Sequence, residues 1–154
     1  MKTRTILLTL ALCFVAGAAC FASDVQMGAW KLNEAKSKLA PGMPKNNTVV
    51  CEAAGDNVKV TVDGTDNDAK PAHNEWTGKF DGKDYAVTGD PNSDERSYNK
   101  IDDRTLGLTV KKGGKVTVTG RIVVSADGKT RTVSTSGTDP QGKKFKNTAM
   151  YDKQ

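Results

Sequence analysis

Apolar and polar residues alternate with a period of two along most of this chain, a pattern that belongs to strands half-buried in a sheet and not to helices. Val58, Val60 and Val62 alternate with Lys59 and Thr61. Leu106, Leu108 and Val110 alternate with Thr105, Gly107 and Thr109. Val116, Val118, Ile122 and Val124 fall on one face, with Thr117, Thr119 and Arg121 opposite. Between these runs lie Gly55-Asp56-Asn57, Asp63-Gly64, Asp81-Gly82-Lys83, Lys112-Gly113-Gly114-Lys115, Asp127-Gly128-Lys129 and Gln141-Gly142-Lys143. Such turns reverse a chain tightly because glycine accepts a positive φ without steric cost. The pattern predicts strands near 27–32, 47–53, 58–63, 73–80, 83–88, 95–101, 104–111, 115–125, 130–137 and 144–151.

Strands joined in sequence by short turns form an antiparallel meander, and a meander this long must protect its edges. Closing into a barrel of eight to ten strands removes them, and at that width the interior can hold a small ligand. The rival architecture is a two-sheet β-sandwich, whose faces pack together and leave no cavity. One stretch breaks the alternation. In 33–45, Asn33 can cap a helical turn through Leu39, which Pro41-Gly42 ends, and Pro44 then keeps the chain extended.

The first 22 residues follow another logic. Lys2 and Arg4 precede an apolar run from Ile6 to Ala19, small residues reach Ala22, and Asp24 is the first acid. This order predicts a secretory signal peptide over 1–22, cut after Ala22 (or after Ala18), with a single domain over 23–154. The apolar run is shorter than the ~20 residues of a spanning helix, so stable membrane insertion is not expected after cleavage. The product would be periplasmic or secreted, unless lipid attached to Cys20 anchors it. Cleavage removes Lys2 and Arg4 and no acid, so the formal charge falls from +5 to +3. It also leaves Cys51 as the only cysteine of the domain, inside Val49-Val50-Cys51, where a buried thiol is the usual occupant.

Gly28-Ala29-Trp30-Lys31-Leu32 opens the first predicted strand. It resembles the Gly-x-Trp start of lipocalins and the related start of fatty-acid-binding proteins, so the chain resembles a calycin. Thr65-Asp66-Asn67 half-resembles the lipocalin Thr-Asp-Tyr motif. The resemblance implies an up-and-down barrel closed at one end by the tryptophan, with an arginine packed across it. Arg121 and Arg131 are the residues available for that role. From Gly28 through Asn33, Lys36 and Lys38 to Tyr151-Asp152-Lys153-Gln154, the chain also resembles small exported bacterial proteins of an uncharacterised family.

Chemistry-bearing constellations are sparse. Asp90, Asn92 and Asp94 have the spacing that opens a calcium loop, but Glu95 and Ile101 stand where that loop needs glycine and glutamate. Asp63, Asp66 and Asp68 read as a second acidic turn. His73 is the only histidine and is expected on a polar face beside Glu75. Glu52, Glu75 and Glu95 are the carboxylates that could serve as an acid–base pair. No catalytic motif is present, so an enzyme is not expected, nor a metal or cofactor. Lys143, Lys144 and Lys146 lack an aromatic platform, which disfavours nucleic acid. The expectation is a monomer that binds a small apolar or amphipathic ligand, with cavity candidates Trp30, Leu32, Val60, Trp76, Phe80, Leu108, Val118 and Ile122. The alternative is a structural or interaction domain of the cell envelope with no cavity.

Overall fold

The computed structural model describes residues 24–154; the predicted signal peptide lies outside them. Ten strands follow one another: β1 (Gly28–Leu32), β2 (Lys45–Ala54), β3 (Asn57–Thr65), β4 (Pro71–Gly78), β5 (Tyr85–Thr88), β6 (Glu95–Asp102), β7 (Thr105–Lys112), β8 (Lys115–Val124), β9 (Thr130–Thr138) and β10 (Lys144–Lys153). Each pairs antiparallel with its neighbour in sequence, and β1 pairs with both β2 and β10. The sheet therefore closes into a ten-stranded barrel, not a sandwich. Closure rests on short ladders at β1, where Trp30 faces Lys153 across one seam and Val49 across the other.

The period-two alternation sets which residues face inward. Val58, Val60 and Val62 on β3, Trp76 on β4, Tyr98 on β6, Ile122 and Val124 on β8, and Ala149 and Tyr151 on β10 are all buried. Three irregularities shift the pattern. The register slips between Asn46 and Thr48 on β2, between Val110 and Lys111 where β7 meets β8, and between Lys100 and Asp102 on β6. The second slip corrects the expectation that Val116 shares the face of Val118 and Ile122. A bulge gives one strand an extra residue, which turns Val116 outward to 55% exposure.

Other differences are local. The strand predicted over 73–80 ends at Gly78, and its successor begins at Tyr85. Between them the Asp81 carboxylate accepts from the backbone of Lys83 and from the Tyr85 hydroxyl, a side-chain-built turn that competes with strand pairing. The helical turn predicted through Leu39 is shorter, a 3-10 turn over Glu34–Lys36. Asn33 caps it, accepting from the Lys36 N–H. It stops there because Ser37 and Lys38 are taken by β10: the Met150 N–H donates to Ser37 Oγ at 2.9 Å, and Lys38 bridges Thr148.

The strand ends define two poles. One, the floor, gathers residues 24–28 with the β2–β3, β4–β5, β6–β7 and β8–β9 turns. The other, the mouth, gathers the β1–β2 connector with the β3–β4, β5–β6, β7–β8 and β9–β10 turns. At the mouth, Gly89 has φ +83°, and a Cβ there would strike the His73 carbonyl, so both conformation and space require glycine.

Candidate functional site

The floor is built around Trp30, which is fully buried. Its indole Nε1 donates to the Gln26 carbonyl at 3.0 Å, and the Gln26 side-chain Nε2 donates to the Arg104 carbonyl at 3.1 Å. Residues 24–27 are thereby folded under β1 as a plug. Gln154 N–H donates to the Ala29 carbonyl at 2.9 Å, and Val124 N–H to the Arg104 carbonyl at 2.9 Å, tying other strand ends to it.

Arg131, from β9, lies across the tryptophan. Its guanidinium sits 5.0 Å from the ring centroids of both Trp30 and Tyr151, and only 4% of the residue is exposed. The Lys153 ammonium caps the same indole at 5.1 Å. Among the described residues no carboxylate forms an ion pair with Arg131. Its charge is met by the two aromatic faces and by Cys51, whose sulfur accepts from Nη1 at 3.9 Å. Burial pushes the Cys51 thiol up, an effect that neighbouring Arg131 only partly offsets. Burial likewise pushes the Tyr151 phenol up to about 12, so it stays a hydroxyl at neutral pH. Of the two arginines available to cover the tryptophan, Arg131 does so, while Arg121 is exposed on the outer face of β8.

Above this layer the interior is hollow. A cavity of about 510 Å³ runs from Gln26, Cys51, Arg131 and Tyr151 up to Leu39, Met43, Asn67, Pro91, Asn92 and Pro140 at the mouth. Its middle is apolar, with Val49, Val60, Val62, Leu106 and Ile122 among its walls. Arg96 is the second buried arginine on the wall. It reaches Asn74 Oδ1 at 3.3 Å and lies 3.8 Å from Asp90 Oδ2. Asp90 is also bound by the Ser93 hydroxyl at 2.6 Å and the Asn92 N–H at 2.8 Å. Asp94 accepts from the Gly113 N–H at 2.9 Å. The Asp90–Asn92–Asp94 spacing thus serves a turn and one buried guanidinium.

Six of the eight expected cavity residues, Leu32, Val60, Phe80, Leu108, Val118 and Ile122, stand on the cavity wall. Trp30 and Trp76 do not, a correction with a common cause: each indole is covered by another large group. Trp30 lies beneath Arg131. Trp76 is stacked on Phe80 at 6.3 Å and meets Tyr98 edge-on at 4.8 Å, with its Nε1 donating to the Arg96 carbonyl at 2.8 Å. Cys51, Arg96, Tyr98, Arg131 and Tyr151 also line the cavity and were not singled out as wall residues. Parity with Tyr98 was the available signal for Arg96, since both share the inward phase of β6.

The remaining polar groups lie outside. His73 Nδ1 is 2.7 Å from Asp63 Oδ1, and its Nε2 is 3.5 Å from Glu75 Oε1, on the outer face of β3 and β4. The Asp63 carboxylate, hydrogen-bonded to the ring, raises the His73 pKa, with Glu75 adding to it. Lys59, 2.8 Å from Glu75, holds that carboxyl below its ordinary range. Glu52 is exposed on β2, and Glu95 faces Lys111 across the β6–β7 ladder, so the three glutamates share no cleft. Among the described residues no group of three or more His, Cys, Asp or Glu is placed to hold a metal ion. The fold is compatible with that of the calycins. Compared with known proteins, the chain matches no family model and no curated protein.

Proposed function

We propose that this protein is an exported, monomeric, lipocalin-like barrel that holds a small apolar or amphipathic molecule in its interior. The observation that carries the reading is the cavity: about 510 Å³, walled by aliphatic side chains and plugged at one end. Sites for small molecules span roughly 300–1,000 Å³ and combine apolar walls with a few fixed polar groups. Arg96, Tyr98, Arg131 and Tyr151 are such groups here, which favours a ligand with one polar end. The signal-like order of residues 1–22 supports export to the periplasm or beyond. The protein would act by binding and not by catalysis, since its lone histidine faces outward, away from the cavity.

The test is direct titration. Retinoids and fatty acids added to the purified protein should change Trp30 and Trp76 emission saturably, and native mass spectrometry should recover a one-to-one complex. Absence of any response, with no lipid extracted from the protein as isolated, would overturn the reading in favour of a domain acting only through its surface.

A further inference from the structure

The mouth carries two lips of opposite charge. The β3–β4 and β5–β6 turns hold Asp66, Asp68, Asp90 and Asp94, with Lys70 paired to Asp68. Lys112 at the end of β7, Lys115 at the start of β8, Lys143 in the β9–β10 turn and Lys144 and Lys146 at the start of β10 form the other lip. All five lysines of this basic lip are exposed. Lys112 reaches back to Asp94 at 3.9 Å, and the other four form no ion pair among the described residues. Asp139 is the acid within the basic lip, but its carboxylate accepts the backbone N–H groups of Gln141 and Lys143. Apolar groups are interleaved with the lysines: Val116, turned out by the bulge, and Pro140, which is exposed and also edges the cavity.

We propose that the basic lip docks on an anionic bilayer surface, so that the cavity mouth faces the lipid from which ligand enters or into which it leaves. This rests on the ligand-binding reading for its purpose, though not for its geometry. Unpaired lysines are attracted to anionic headgroups over a Debye length. Val116 and Pro140 give the lip an apolar component that an interfacial region can accept and a soluble polyanion cannot. Because Pro140 and Lys112 also border the cavity, an apolar ligand passing over this lip avoids water.

The experiment is vesicle co-sedimentation of the protein as recovered from expressing bacteria, with one N-terminus common to all variants. Phosphatidylglycerol-containing vesicles should bind it at low salt and release it at high salt, while phosphatidylcholine vesicles should not bind it. Each lysine near such a surface is worth roughly fivefold in affinity, so replacing Lys143, Lys144 and Lys146 together by Gln should weaken binding about a hundredfold. Replacing Lys79 and Lys83, at the floor, by Gln should leave it unchanged. Equal losses in both variants, no binding to anionic vesicles, or preferential binding to heparin over vesicles would each overturn the docking surface. A protein that takes up ligand but ignores vesicles would fail here alone. One that docks on vesicles yet binds no cavity probe would leave the docking surface standing and sink the ligand-binding reading.

Discussion

The two poles of the barrel are made from the same hairpin chemistry, yet they are built to different ends. At the floor a buried tryptophan is hydrogen-bonded to the Gln26 carbonyl and covered by Arg131, and residues 24–27 fold under it. At the mouth the connections between loops are side-chain hydrogen bonds near the surface, such as Asn67 Nδ2 to the Gly42 carbonyl at 3.0 Å and Asn92 Nδ2 to Asn67 Oδ1 at 3.4 Å. Trp30, Val124 and Tyr151 are buried toward the floor, whereas at the mouth Pro91 and Pro140 are exposed and Leu39 and Met43 only half-buried. Stability should therefore be concentrated at the floor and local opening at the mouth, because regions with few buried contacts open at the lowest free energy.

The contrast can be broken most sharply at Trp30. Trp30→Ala is expected to cost about 3–5 kcal/mol, the usual range for emptying a buried indole site, in urea denaturation followed by circular dichroism. Arg131→Ala should cost about 2 kcal/mol or more, since two desolvated cation–π contacts and the packing of the side chain across both rings are lost together. Met43→Ser, at the mouth, should cost under about 1 kcal/mol while weakening ligand retention. A larger loss there than at Arg131 would refute the division of labour.

Cys51 probes the floor without perturbing it. Its raised pKa leaves little thiolate at neutral pH, so a charged thiol reagent should label the folded protein slowly and the denatured protein fully. Because Cys51 also lines the cavity, rapid native-state labelling that a bound cavity ligand does not slow would mean that the floor opens. The smallest effect belongs to His73. Its pKa is higher folded than unfolded, so its contribution to stability is complete below its ordinary value of 6.5 and is lost as pH rises through the folded value. Urea midpoints of the native protein and His73→Gln should differ more at pH 5.5 than at pH 8. The sign, not the size, is the test, because the ring is half exposed.

Much of the architecture was legible in the residues. The runs Val58-Lys59-Val60-Thr61-Val62 and Leu106-Gly107-Leu108 announced strands because side chains alternate across a sheet, and Asp127-Gly128 announced a reversal because glycine tolerates the turn. Less of the site could be read. Val118 and Ile122 stand on the wall, whereas Val116, read onto the same strand face, points outward. A bulge depends on how two strands accommodate each other's twist, which neither strand states alone. The expectation for Trp30 and Trp76 failed for a different reason. Inward direction is a property of the strand, but contact with the cavity depends on which other side chains reach across.

What the sequence determined by itself is periodic and local: strands, turns, the Asn33 cap and the alternating inward face. Each follows from geometry within a few residues. Only the tertiary structure decided that β1 would join β10 and close the barrel, that Arg131 instead of Arg121 would cover Trp30, and that the lysines of two separate hairpins would meet at one lip. These pair residues far apart in the chain. Their physical basis is the register and curvature of a closed sheet, which exist only once all ten strands are in place.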